Sequence, residues 1–402
     1  MIYFYYHINL YQEGKSDMNK YNTLFGQLLS FIPRPEFERL CSNCESNKYC
    51  KGFSAWNELA VMIFAQITDQ NGLRSTANAL NSQHSSFYHL GIRKNISKST
   101  VSYAENTRSS DIYEALYYSL LSRLDGEAKK SAERKLYAVD ATTIGLCMHD
   151  FPWAKFRSTK SGVKIHVKYN VGESIPEYLF VTNAEEHENS TLGKMGLKTG
   201  DIVTFDKGYN NYRQFAEFCG QGIYFVTRLK DNADYKVVKR RKTYSRCITS
   251  DQIIRFTGLV SEKKCPCKLR RIRSVDKKTG KSIVLLTNMR SCSAAKISSI
   301  YRKRWQIELF FKTIKQNLKI KRFYGTSENA VKTQIWIAMI IYLLFMMLRR
   351  LSGCASKCFT HFISELSVVL FQHCDLMRWL AGTPPDIVSN EIIGSAQMEL
   401  GL

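Results

Sequence analysis

The stretch Y-R-K-R-W-Q-I-E-L-F-F-K-T-I-K, Tyr301 to Lys315, decides how the rest of this chain is read. It holds no glycine or proline and is rich in straight-chain and aromatic residues, which predicts a helix. At about 100° per residue, Tyr301, Arg304, Glu308 and Lys315 fall within roughly 60° of one another. Ile307, Phe310, Ile314 and Leu318 form an apolar stripe beside them. Such a helix buries one side and, along the edge of that side, holds one carboxylate among cations. Alone, that pattern fits a solvated row of ion pairs. The positions of the chain's other acids alter the reading.

Across its 402 residues the chain carries 58 Lys and Arg against 35 Asp and Glu, a formal net charge of +23. With 44% hydrophobic residues it has the composition of a globular protein and the length for two or three domains. A surplus of this size points to a polyanion, of which nucleic acid is the commonest. Membrane lipid is the rival. The longest apolar run, Ile335 to Leu348, is short for a membrane span and is read as a buried helix. The N-terminus has no basic n-region or small-residue cleavage site, and the patterned sequence begins near Met18, where translation could start. Twelve cysteines without a regular framework suit reduced thiols in a cytoplasm.

In order along the chain, Thr23 to Ile32 predicts a short helix stopped by Pro33 and Pro35. Ser54 caps a second helix running through Trp56, Leu59, Met62, Ile63 and Ile67, and Leu73 to Leu80 forms a third. Ser97 or Ser99 caps another, and Ile112, Leu116, Leu120 and Leu124 mark the next. Helix, glycine turn, helix and a Ser/Thr/Lys-rich capped helix outline a helix-turn-helix module, though a plain helical scaffold gives the same outline. Residues 18–130 are therefore expected to be an all-helical, DNA-binding N-terminal domain.

From Leu136 the apolar period changes to alternation. Leu136 to Asp140 predicts a buried strand ending in an acid, Val163 to Tyr169 a half-exposed strand, and Glu177 to Thr182 a third. Ile202 to Asp206 is again apolar up to a terminal acid. A helix to about Cys219 and a strand from Ile223 to Thr227 follow. The strongly basic stretch at about 231–290 reads as a strand-rich insertion; its cations include Lys236, Lys239, Arg240, Arg241, Lys242, Arg246, Lys268, Arg270, Arg271 and Arg273. The expected catalytic domain spans 131–350, and 351–402 is a C-terminal helical tail.

Three strands, a short helix, a strand, a helix, a strand and a late helix follow the order of the ribonuclease-H-like α/β fold, interrupted here by the insertion. In that fold the ends of the first and fourth strands and the late helix converge, and those places hold Asp140, Asp206 and Glu308. Acids ending apolar strands are costly to bury unless they coordinate something. Three carboxylates suit hard Mg²⁺ ions that also bind phosphate oxygens. Two such ions would serve an in-line displacement at phosphorus.

Here the sequence resembles the cut-and-paste DDE transposases of bacterial insertion sequences. Tyr301, Arg304, Glu308 and Lys315 match the Y-x2-R-x3-E-x6-K signature at every spacing. V-D-A-T, Val139 to Thr142, and F-D-K-G-Y, Phe205 to Tyr209, resemble the contexts of the other two acids. F-G-Q-L-L-S-F-I-P and L-N-S-Q-H-S-S-F-Y-H-L-G-I resemble one branch of the family, so the likeness spans roughly 18–350. Ala141 stands where the family often has Ser.

The resemblance implies Asp140, Asp206 and Glu308 as metal ligands and catalytic residues, with two Mg²⁺ ions that Mn²⁺ can replace. It implies Tyr301, Arg304 and Lys315 as contacts to the DNA backbone, and double-stranded DNA, both element ends and target, as partner. It implies a homodimer in the synaptic complex and no membrane. The insertion would hold a DNA hairpin end and stack a flipped base, with Tyr235, Tyr244 and Phe256 as candidate aromatics. Two other activities remain open: a non-catalytic protein that binds element ends, and a metal-dependent nuclease of the same fold.

Other clusters have plainer readings. Cys41, Cys44 and Cys50 resemble half a zinc site without a nearby fourth ligand, and Cys265-Pro-Cys267 is too closely spaced for the usual pattern. Glu185, Glu186, His187 and Glu188 read as a solvated turn, and His149-Asp150 as a loop that could approach the acids. Trp305 either stacks on DNA or packs against the insertion.

Overall fold

The computed structural model describes residues 22–127, 134–157, 160–184, 191–243, 245, 247–275, 280–353 and 357–382. Met18, the Glu185–Glu188 cluster, Tyr244, Arg246 and the stretch from 383 on lie outside the described residues. The chain divides into two compact units, residues 102–343 and residues 1–101 together with 344–402.

Among the described residues, the unit of 22–101 and 344–382 is helical. Thr23 caps the helix Leu24–Ser30, its side chain accepting from the Gly26 amide. The first helix ends at Ser30, ahead of Pro33 as expected, and a second helix then runs Arg34–Asn43 with proline in its first turn. Proline lacks only an amide that has no partner at a helix start, so it opens a helix as readily as it ends one. Ser54 and Asn57 form a reciprocal capping box on the helix Ala55–Ile67. Chain remote in sequence completes this unit. The Leu24 and Phe25 amides donate to the carbonyls of Gln372 and Leu370, at 3.0 and 2.8 Å. The buried Gln27 amide bonds Cys374 O at 2.7 Å and accepts from Leu376 N at 2.9 Å. The short helices Phe359–Val369 and Leu376–Leu380 thus pack with the N-terminal ones.

The second unit is mixed α/β, built on one large mixed sheet. Its strands are β1 (Leu136–Leu146), β2 (Lys155–Arg157), β3 (Lys160–Asn170), β4 (Ile175–Asn183), β5 (Ile202–Phe205), β6 (Tyr224–Arg228), β7 (Tyr235–Arg240), β8 (Ile248–Phe256), β9 (Leu269–Val275) and β10 (Ser282–Thr287). The order is β2-β3-β1-β5-β6-β10-β9-β8-β7, with β4 also paired to β3. β1, β5 and β6 run parallel, and the remaining pairs are antiparallel. The basic stretch after β6 is strand-rich, and β10 pairs directly with β6, so the insertion prolongs the central sheet.

Two expectations change. β1 does not end at Asp140 but continues to Leu146, because β3 pairs with it all the way to Leu146↔Ser161. β3 is buried on both sides, not half-exposed; even His166 and Lys168 are covered.

Strand alternation sorts the two faces. Tyr137, Val139, Val203, Phe205 and Phe225 look toward the helix Tyr212–Gln221 and its Phe215 and Phe218. The Phe215 and Phe225 rings stack at 4.7 Å and 8°. Val226, Ile272 and Leu285 look the other way, against Ile297, Ile300 and Tyr301 of the helix Ala294–Lys303. The apolar run predicted as a buried helix lies in the longer helix Glu328–Ser352. Its 25 residues are long and apolar enough to cross a membrane, and 94% of its most apolar window is buried inside the protein.

Candidate active site

β1 and β5 are parallel neighbours, and their last paired residues are Val139 and Phe205. Asp140, within β1, and Asp206, just past the end of β5, therefore lie side by side. By alternation both point away from the Phe215 face and toward the helices that follow the sheet. β5 stops at Phe205, and Asp206 begins the short turn Lys207–Tyr209, whose last amide donates to the Asp206 carbonyl at 3.1 Å.

The third acid arrives on a helix that is not continuous. The helix predicted over Tyr301–Lys315 is two, Ala294–Lys303 and Trp305–Asn317, joined at Arg304. Around Arg304 the backbone tightens to i→i+3 hydrogen bonds, Arg304 N to Tyr301 O at 3.0 Å and Ile307 N to Arg304 O at 3.1 Å. Tyr301 closes the first helix, and Glu308 and Lys315 ride on the second.

Arg304 is the hub. Its Nη1 donates to Asp140 Oδ2 at 3.3 Å and its Nη2 to Glu308 Oε1 at 2.5 Å. Asp140 Oδ1 accepts from the Ala141 amide at 2.9 Å. Burial works against the Arg304 charge, but the Glu308 hydrogen bond and the Tyr301, Glu308 and Asp140 charges outweigh it and raise its pKa. Arg304 Nε is buried with no hydrogen-bond partner among the described residues. The guanidinium lies 5.8 Å from the centre of the Tyr301 ring. Burial chiefly, and the negative charge of Asp206, raise the Tyr301 phenol, against the opposing pull of Arg304 and Arg228. Lys315 Nζ bonds Thr143 O on β1 at 3.1 Å, and burial, then Lys321, lowers its pKa.

Glu308, Arg304 and Tyr301 thus gather at Asp140 in the middle of β1, Lys315 reaches the same strand at Thr143, and Asp206 lies beside them. Among the described residues no three acid, histidine or cysteine side chains stand as a ready metal cage. A guanidinium lies between Asp140 and Glu308. The donor set itself suits a hard divalent cation, since all three groups are carboxylates. Asp206 is half-buried and makes no side-chain hydrogen bond or ion pair with the described residues.

The sequence reading did not single out several neighbours. Arg228 ends β6, and the Thr204↔Val226 register puts it beside Asp206. Asn210 ties these two chain ends together: Thr227 Oγ1 donates to its Oδ1, and its Nδ2 donates to Arg228 O, both at 2.9 Å. Lys207 pairs with Asp231 at 3.2 Å. The signal for Arg228 was present, a cation closing an apolar strand just as the acids do.

His149 and Asp150 form an exposed pair, 3.1 Å apart, in the turn after β1. Cys41 is buried while Cys44 and Cys50 are exposed. Phe256 is core, packed on the Tyr212 ring at 4.8 Å, so it offers no face to a base. Tyr235 is partly buried, with the Arg271 guanidinium 5.5 Å from its ring. Trp305 is exposed.

Residues 131–344, over half of the chain, match the family described as Transposase DDE domain, and the chain belongs to that family. Residues 20–93 match a second family, a Domain of unknown function (DUF4372). Its relatives include a putative transposase of Sinorhizobium fredii, 34% identical over 241 residues, which are 58% of this chain and 66% of that one. A probable transposase for insertion sequence element IS5377 from Geobacillus stearothermophilus is 30% identical over 252 residues, 61% of this chain and 66% of that one. The chain thus spans 66% of the length of each of these relatives. A solved synaptic complex of the piggyBac transposase with hairpin DNA aligns over 94% of this chain and 87% of that one. At a TM-score of 0.48 and 10% identity, that likeness is too distant to argue from.

Proposed function

We propose that this chain is a DNA transposase that cuts at the terminal inverted repeats of an insertion element and joins the freed ends to target DNA. The observation that carries the reading is the meeting of Asp140 and Asp206, from neighbouring parallel strands, with the Arg304–Glu308 pair of the late helix. The strand order β4-β3-β1-β5-β6, with the first hairpins antiparallel and β5 and β6 parallel to β1, supports a ribonuclease-H-like core over 131–350. The basic strands at 231–290 are its insertion.

Asp140, Asp206 and Glu308 would hold the divalent metal, Mg²⁺ with Mn²⁺ as its substitute. When bound, the metal polarises the scissile phosphate and lowers the pKa of the attacking hydroxyl. Tyr301, Arg304 and Lys315 bind and orient the DNA backbone, their cations offsetting charge that grows on phosphate oxygens. In the first step water adds to phosphorus, the P–O3′ bond breaks, and a 3′-hydroxyl and a 5′-phosphate result. In the second, that 3′-oxygen displaces a 3′-oxygen of the target strand, so one phosphodiester bond forms as another breaks. Two element ends call for two copies of the chain, hence a homodimer in the synaptic complex. Such a protein works on chromosomal DNA in the bacterial cytoplasm.

We assign residues 18–130 to DNA contact. Ser97 caps the helix Lys98–Thr107, accepting from Thr100 N at 3.1 Å. That helix start leaves Arg93, Lys94, Lys98, Ser99, Thr100 and Tyr103 exposed. Cations and hydroxyls of this kind suit phosphates.

The test is cleavage of the gene's own flanking DNA by purified protein with Mg²⁺ or Mn²⁺, wild type beside Asp206→Ala. Nicking at the element boundary by wild type alone, with end binding kept in the variant, is the expected result. Binding without cutting by both would leave an end-binding protein, and cutting by Asp206→Ala would remove that acid from the triad.

A further inference from the structure

Arg304 contacts two of the proposed metal ligands at once, and that contact has a consequence for the metal. The Asp140 and Glu308 carboxylates each spend an oxygen on the guanidinium, at 3.3 and 2.5 Å. The side chains of Arg304, Asp140 and Glu308 are only 14, 20 and 32% exposed, so water screens the pairs weakly. From this bridge we propose that Arg304 is a latch: its guanidinium holds Asp140 and Glu308 in place before metal binds, competes with the metal for them, and releases them when a DNA phosphate draws it away. The inference rests on the metal site proposed above.

Three observations support the exchange. The bridge uses Nη1 and Nη2, while Nε is buried without a partner among the described residues. A guanidinium with an unused buried donor gains a hydrogen bond when a phosphate oxygen arrives, and the fork of a guanidinium matches phosphate as well as carboxylate. Arg304 also sits at the junction of the two helices, where the backbone hydrogen bonds are of the i→i+3 kind, so the chain that carries it is not held in one continuous helical ladder. Finally, Asp206 takes no part in the bridge, so one acid stays available to capture the first cation. Competition by Arg304 and recruitment by DNA then make metal and element end bind cooperatively, and linkage requires the effect to be reciprocal.

The experiment is Mn²⁺ binding to the DNA-free protein, read by electron paramagnetic resonance of the unbound ion. Wild type is compared with Arg304→Gln, Arg304→Lys and Lys303→Gln. Lys303 is exposed and adjacent, so its loss reports the effect of removing one positive charge. Arg304→Lys keeps the charge but cannot bridge both carboxylates with a planar fork. Both Arg304 variants are expected to bind Mn²⁺ more tightly than wild type, by about fivefold or more. Lys303→Gln is expected to change the affinity by less than about twofold. If Arg304→Lys binds like wild type and Arg304→Gln like Lys303→Gln, the latch is overturned and only charge is at work. Asp140→Asn separates the two proposals. Unchanged Mn²⁺ binding by that variant would sink the metal site itself, whereas lost binding alongside inert Arg304 variants sinks the latch alone. Circular dichroism of each variant, matched to wild type, keeps misfolding from being read as either outcome.

Discussion

Arg270 stands in K-L-R-R-I-R, within the basic strand-rich stretch, yet its side chain is 1% exposed. Its Nε and Nη2 hold both oxygens of Asp251, at 2.9 and 2.6 Å, and Nη1 donates to Cys292 O at 2.5 Å. The pair ties β9 to β8 and to the chain leaving β10. Replacing Asp251 with Ala leaves a buried guanidinium without its counter-charge, which costs about 3–5 kcal/mol. A clear fall in the urea midpoint is the expected outcome; a change below about 1 kcal/mol would mean that water reaches Arg270. A cation's burial is invisible in local sequence, because it depends on which strand face the sheet later covers. The three acids of the candidate site stand out in the sequence for the opposite reason. Each ends or interrupts an apolar segment, and such a residue is expensive unless it has a task. Arg228, which closes β6 in the same way, was equally legible and was passed over.

At the scale of the element, the signals that worked are those whose physics is local. Ser54 before W-N-E-L satisfies a helix start from within four residues, and the structure has the reciprocal bonds, Asn57 N to Ser54 Oγ at 3.3 Å and Ser54 N to Asn57 Oδ1 at 3.0 Å. Ser54→Ala should therefore lower stability by about 1 kcal/mol. Ser54→Gly should cost only a few tenths, since glycine keeps the cap backbone solvated. Thermal melts of the two variants check this, and an unchanged melting temperature in both would show that the cap bond contributes nothing. The signals that failed are those decided by partners. β1 runs six residues past Asp140 because β3 is there to pair with it, as the register through Leu146 shows. The helix Tyr301–Lys315 has a flawless local pattern, but it tightens at Arg304, the residue held by Asp140 from a distant strand. Alternation in β3 predicted one wet face, but alternation cannot reveal that a second layer covers it. The insertion was legible as strands and not as a continuation of the sheet, since its pairing with β6 is set by contacts some 60 residues apart, such as Phe225 N to Asn288 Oδ1 at 3.0 Å.

For the whole molecule, the governing quantity is the net charge of +23. Charge of that size does not choose a fold, but it does set how binding to DNA responds to salt. Each phosphate neutralised releases counterions, so log K falls with log salt at about −0.9 per contact on duplex DNA. A footprint of six or more phosphates would cost about a thousandfold in affinity between about 50 and 200 mM salt. Part of the charge lies on β7, the outermost strand of the sheet, where Lys236, Lys239 and Arg240 are exposed beside Val237 and Val238. Cations on an edge strand also discourage pairing with other chains, so an innocent reading exists: these residues could serve solubility alone. Salt titration separates the two. If β7 meets DNA, changing Lys236, Lys239 and Arg240 to Gln together should flatten the slope by about 2–3. Asp206→Ala, which removes no cation, should leave the slope where it was. A triple variant with an unchanged slope, but with more aggregation at low salt, would assign β7 to edge protection and send the search for the DNA footprint to the exposed start of the helix Lys98–Thr107.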